Sequence, residues 1–161
     1  MRISGKAVAM TAFVAAAMLI MTACTSKPVM PHAQFVNIPS HGWQQDLPLA
    51  FTPSYDDSTL TCDFKLTIRH DNSYSYRNLS IAVDIIAADS TVRRQQVNMP
   101  LADEYGNWTG GGFGALYQAS VVIARDLSPD QASRIVVWQT MADCDTLTGL
   151  VNMGLTVYPS H

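Results

Sequence analysis

Apolar and polar residues alternate with a period of two through most of this chain. Leu60, Cys62, Phe64, Leu66 and Ile68 interleave with Thr61, Asp63, Lys65, Thr67 and Arg69. This is the pattern of a β-strand with one face buried and one face wet. Leu79 to Ala87 alternates less strictly, setting Ile81, Val83 and Ile85 against Ala82, Asp84 and Ile86. Thr91 to Met99 carries Arg93, Gln95 and Gln96 and reads as a polar edge strand. Shorter apolar runs predict further strands at 35–38, 49–51, 116–124, 134–141 and 153–158. Turn-forming residues separate them, at Asp71-Asn72-Ser73, Asp89-Ser90, Glu104-Tyr105-Gly106-Asn107 and Ser128-Pro129-Asp130. Beyond the first residues no stretch holds a long 3.6-residue period. Seven or eight short strands with regular turns predict an all-β fold, a two-sheet antiparallel sandwich of immunoglobulin-like or jelly-roll-like kind.

The amino terminus departs from that pattern. Arg2 and Lys6 precede an uncharged run from Ala7 to Ala23, and Met21-Thr22-Ala23 leads into Cys24. Cations, a short apolar segment and a small residue before the cut are the layout of a secretory signal. A cysteine directly after the small residue gives the bacterial lipoprotein version. In it the Cys24 thiol takes a diacylglyceryl group, residues 1–23 are removed, and the new amino terminus is acylated. An ordinary signal peptide or an uncleaved membrane helix is the alternative, although the run is at the low edge of the length needed to span a bilayer. Residues 24–32 then form the lipidated cysteine and a tether containing Pro28 and Pro31, and residues 33–161 form the sandwich domain. No acidic run follows Cys24, which leans towards an anchor facing the periplasm.

Composition narrows the partners. The chain has 161 residues, with 10 Lys+Arg against 13 Asp+Glu. Loss of Arg2 and Lys6 leaves 8 cations and a formal charge of -5. Arg93-Arg94 is the only basic pair beyond the leader, so nucleic acid is not an expected partner. With Cys24 used for lipid, Cys62 and Cys144 remain, and an oxidising compartment favours pairing them. Such a disulfide would close a loop of about 80 residues and add roughly 4 kcal/mol; two buried free thiols are the alternative.

Candidate chemistry is sparse. His32, His41, His70 and His161 are scattered through the tether, a loop, a strand end and the terminus, and read as surface residues. No GxSxG focuses a nucleophile, so neither an enzyme nor a cofactor is expected. Asp56, Asp57, Asp143 and Asp145 lack the glycine and distal glutamate of a calcium loop, and neither cysteine has metal-ligand spacing, so no metal is expected. Gly110-Gly111-Gly112-Phe113-Gly114 lacks the helix start and lysine of a phosphate cradle and reads as a hairpin connection. The aromatics hold more interest. Trp43, Tyr74, Tyr76 and Trp108 lie in or beside loops, where rings either close the open end of a sandwich or offer a protein or glycan contact. Arg69, beside Tyr74 and Tyr76, is expected to stack on one of those rings.

These loop residues carry a resemblance. Gly42-Trp43, Ile68-Arg69, Tyr74-Ser-Tyr76-Arg-Asn78-Leu79, Gly106-Asn-Trp108-Thr-Gly110, Met141, Leu147-Thr-Gly149 and Asn152-Met-Gly154 follow one another across Phe35 to Tyr158. In order, in spacing and in position behind a lipidation signal, the series resembles the gliding-motility lipoproteins of the GldH type. The chain departs from that pattern at Ala142, where similar proteins tend to have arginine, and at Asn152, where they tend to have aspartate. Cys62 and Cys144 are not part of the pattern. The resemblance implies a membrane-anchored, non-enzymatic accessory protein of the cell envelope. Its expected partners are the bilayer, through acyl chains on Cys24, and envelope proteins of a motility and secretion-associated assembly. A glycan-binding sandwich is the alternative.

Overall fold

The computed structural model describes residues 31–160. The signal segment, Cys24, most of the tether and His161 therefore lie outside the described residues. Among the described residues eleven strands run in chain order: β1 (His32–Asn37), β2 (Trp43–Gln44), β3 (Leu49–Phe51), β4 (Cys62–Asp71), β5 (Asn78–Ile86), β6 (Val92–Pro100), β7 (Gly111–Phe113), β8 (Leu116–Leu127), β9 (Arg134–Gln139), β10 (Thr146–Leu147) and β11 (Leu150–Pro159). One 3-10 turn, Pro129–Gln131, precedes β9.

Two antiparallel sheets make the expected sandwich. One has the order β1-β11-β4-β8-β7 and the other β3-β9-β5-β6, with β2 and β10 forming a separate two-stranded ladder. The period-two pattern dictates which residues meet. Phe64, Leu66 and Ile68 on β4 lie opposite Val157, Leu155 and Met153 on β11, and all six are buried. Ile81, Val83 and Ile85 on β5 join Ile135 and Val137 on β9 in the same core, along with Phe51 and Leu79. At about 25 cal/mol per Å² of apolar surface removed from water, this layer drives the fold.

The eight predicted strands are all present, with shifted ends. β4 begins at Cys62 because Thr59 donates its backbone N–H to the Asp57 carboxylate at 2.8 Å, forming a turn that leaves Leu60 exposed. β6 is the predicted polar edge strand, and Gln95 closes the side of the sandwich by donating to the Ile123 carbonyl on β8 at 2.7 Å. The glycine segment differs from the connection expected: Gly111–Phe113 pair with β8 as strand β7, and only Gly114, with φ +67°, takes the turn between them.

Candidate functional site

The loop aromatics gather at one end of the sandwich. His70, the last inward-facing residue of β4, is fully buried. Its ring lies 4.5 Å from Trp108, 5.5 Å from Tyr117 and 5.7 Å from Tyr74, measured between centroids. Nδ1 contacts the Asp71 carbonyl at 3.1 Å, which requires the proton on that nitrogen, and Nε2 has no partner in the structure. Burial pulls the imidazole pKa below its ordinary 6.5 and outweighs the Asp71 contact, so the ring is held neutral. The expectation of a surface histidine is corrected here.

Two of the four candidate contact rings are also corrected. Trp43 is 1% exposed and Tyr74 3% exposed, so neither can meet a partner. Trp43 Nε1 donates to the Leu47 carbonyl at 2.8 Å, and the Tyr74 hydroxyl donates to the Asn78 carbonyl at 2.9 Å. Tyr76 and Trp108 are half-buried against the core, with Tyr76 tilted on Tyr74 and Trp108 Nε1 donating to Asn72 Oδ1 at 3.0 Å. The rings close the sandwich end, as buried amphipathic rings with satisfied polar tips do.

A different surface carries exposed chemistry. The odd-numbered residues of β4 point outward, so Arg69 faces away from Tyr74 and Tyr76. Its guanidinium instead sits 4.4 Å above the ring of Phe35 on β1, and its Nε donates to Gln118 Oε1 at 2.9 Å. Phe35 reaches Arg69 by lying across Gly154 of the intervening β11. A Cβ at Gly154 would come within 2.4 Å of the Phe35 ring, so glycine leaves the berth in which the ring rests. Phe35 is 42% exposed and Leu116 is similarly open. On the side of Arg69 that carries Leu116 lies a cleft of about 470 Å³ lined by Arg69, Gly111, Gly112, Leu116, Tyr117 and Gln118. Asn152 pairs across the strands with Arg69, yet its Oδ1 is buried without a partner. Aromatic residues and arginine are enriched at protein–protein contacts.

The GldH lipoprotein family model matches residues 32–157, which is nearly all of the described domain. This chain belongs to the GldH lipoprotein family. The gliding motility lipoprotein GldH homolog of Christiangramia forsetii is 23% identical over 150 residues, covering 88% of this chain and 90% of that one. Among solved structures, the VP2 subviral particle of infectious bursal disease virus matches 81% of this chain and 33% of its own, with 11% identity and a TM-score of 0.36. A second structure of that virus, the Gx strain, gives 10% identity, 32% of its own chain and a TM-score of 0.30. The chain thus spans about a third of those proteins, a likeness too distant to carry an argument.

The residues that carried the resemblance divide in space. Trp43, Tyr74, Leu79, Met141 and Leu147 are core, and Trp108 packs against it. Arg69, Asn152 and Gly154 belong to the outward face with Phe35. Sequence reasoning missed Phe35, Leu116, Tyr117 and Gln118. The signal for Phe35 was a lone aromatic in a short strand.

The remaining expectations meet the geometry as follows. Cys62 and Cys144 carry free thiols, which corrects the disulfide. Cys62 opens β4, whereas Cys144 lies beside Tyr76, past the other end of that strand, where its Sγ contacts the Thr146 carbonyl at 2.9 Å. Ten residues at about 3.3 Å each separate those ends by roughly 30 Å, whereas a disulfide needs Cα atoms about 4.4–6.8 Å apart. Asp56 contacts His32 Nε2 at 2.8 Å and Asp57 holds its turn. Among the described residues no three His, Cys, Asp or Glu side chains cluster as metal ligands.

Proposed function

We propose that this GldH-family chain is a lipid-anchored, non-enzymatic accessory protein of the cell envelope that works through protein contact in a motility and secretion-associated assembly. Residues 1–23 are removed, Cys24 carries the acyl chains, and the domain faces the periplasm. The observation that carries this reading is the Phe35–Arg69 stack beside an open cleft on the outer face of the five-stranded sheet. That face starts at β1, the first strand after the tether. The seven residues 25–31 span at most about 25 Å when extended, so the patch works close to the bilayer. Two acyl chains would hold it there stably, where one would not.

No group of the aromatic end supports catalysis in this reading. His70 meets only rings and a carbonyl, and nucleophilic catalysis needs a base within reach of a nucleophile. Glycan binding through Trp43 loses its platform, because that indole is core.

The test uses a photocrosslinking residue at position 35 in living cells, with position 92 on the other sheet as the control. Envelope proteins should be captured from position 35 and not from position 92. Capture of none, together with normal motility and secretion in a deletion strain, would overturn the proposal. Mass spectrometry of the native N-terminal peptide tests the acylation separately.

A further inference from the structure

The outer face of the second sheet holds a recess that the contact reading does not use. Across β6, β5 and β9 the register sets Gln96, Ala82 and Trp138 in one row, and Arg94, Asp84 and Val136 in the next. Ala82 is the smallest residue of its row and forms a floor between two larger side chains. The result is a recess of about 320 Å³, lined by Gln45, Arg94, Gln96, Trp138, Gln139 and Thr140 as well. That is the lower end of the size range of ligand pockets, roughly 300–1,000 Å³.

The walls are fixed in place. Asp84 is only 7% exposed although it points to the outer face. It accepts two bonds of 2.6 Å from Arg94 Nε and Nη2, and a third of 3.1 Å from Trp138 Nε1. These bonds hold its carboxyl below the usual range against the opposing effect of burial. They also pin the indole by its edge and the guanidinium by one side, leaving Arg94 Nη1 to donate outward. A planar fork held at two points is pre-organised for a further hydrogen bond.

The chemistry of the rim selects a ligand class. Asp84 cancels the charge of Arg94, so the recess carries no net charge to attract an anion. Gln45, Gln96 and Thr140 supply donors and acceptors together, which suits hydroxyl groups that do both. The indole offers an apolar surface. A pyranose has this combination, with a C–H face on one side and hydroxyls around its edge. We infer that this recess binds one hexopyranose unit of a neutral glycan, with Trp138 against the C–H face and Arg94, Gln96 and Gln45 bonding the hydroxyls. It lies on the sheet opposite Phe35 and does not depend on the protein-contact reading.

The test uses the lipidated full chain in detergent on an array of neutral hexose and N-acetylhexosamine oligosaccharides, free and lipid-linked, beside uronic-acid oligosaccharides. Binding is expected to the neutral sugars, and the free and lipid-linked forms identify the source. Trp138→Ala should weaken it about tenfold or more. Gln96→Ala, on an exposed edge strand where the fold is not at stake, should weaken it as well. Phe35→Ala should leave it unchanged. The inference is overturned if no neutral oligosaccharide binds, if the uronic acids bind in preference, or if both Trp138→Ala and Gln96→Ala bind as the parent does. Crosslinks from position 35 in the Trp138→Ala strain report on the contact reading alone.

Discussion

Replacing Gly149 with alanine tests whether the aromatic end of the sandwich is rigid architecture. Gly149 has φ +81°, and a Cβ there would lie 2.3 Å from the Tyr74 backbone nitrogen and 2.6 Å from its Cα. That backbone cannot easily retreat. Asp71 donates its N–H to the Gly149 carbonyl at 2.9 Å, Ser73 donates its N–H to the Asp71 carboxylate at 2.7 Å, and the Tyr74 hydroxyl is tied to Asn78. The left-handed backbone costs an alanine about 1 kcal/mol, and forcing a methyl into packed structure costs about 1–3 kcal/mol more. The sum, about 2–4 kcal/mol, is a large share of a stability of roughly 5–15 kcal/mol. Gly106 is the control, because its φ is +86° and a Cβ there meets nothing within 4 Å. The two variants share the left-handed penalty and the loss of chain entropy in the unfolded state, so their difference isolates the contact with Tyr74. Urea unfolding should place Gly149→Ala about 1–3 kcal/mol below Gly106→Ala, with equal slopes. Equal midpoints for the two variants would refute the claim that the Tyr74 loop is pinned.

Three further outcomes follow from the same geometry. The depressed pKa of His70 means that the unfolded chain takes up a proton before the folded one does, so stability falls as pH drops below about 6.5 and through the lower folded value. His70→Phe should remove this slope in unfolding measured between pH 7 and 5, and an unchanged slope would show that another group carries it. Arg69→Ala should lower stability by ~0.5–1 kcal/mol, and a double-mutant cycle with Phe35→Ala should be non-additive; strict additivity would mean that the stack contributes nothing. Thiol labelling of the folded protein should modify Cys144 well before the buried Cys62, and reductant should leave the thermal midpoint where it was. A mass two hydrogens short of the dithiol form would contradict the geometry.

The strands were legible because alternation is a local signal, and β4 shows how far that signal reaches. The even-numbered series Phe64, Leu66, Ile68 continues to residue 70, so parity alone places His70 inside, against the expectation drawn from its polar side chain. Trp43 and Tyr74 were misread for a different reason. An aromatic in a turn-rich segment looks exposed locally, and only the fold of that segment over the sandwich end buries it. The strands β2, β7 and β10 have two or three residues each, too few to show any period. The Phe35–Arg69 stack joins residues on strands that are not neighbours, with Gly154 of β11 between them. Its recognition depends on the register of three strands, which no local pattern specifies. The Trp138 recess has the same character, since Gln96, Ala82 and Trp138 come together only through the pairing of β6, β5 and β9.

The closed end of the sandwich and the outer face of the five-stranded sheet draw on different residues. Trp43, Tyr74 and Gly149 hold a loop end shut, and a residue committed to that task has no exposed atoms with which to discriminate among partners. Arg69 and Asn152 lie on the outer face of the five-stranded sheet, with Gly154 buried beneath the Phe35 ring. Asn152 stands directly across from Arg69. A carboxylate at that distance would offer the guanidinium an ion pair within the sheet. An uncharged amide does not, so the Arg69 charge stays unneutralised by this neighbour while the side chain is steadied by Phe35 and Gln118. An arginine pre-oriented by a ring and an amide loses little side-chain entropy on meeting an acidic group.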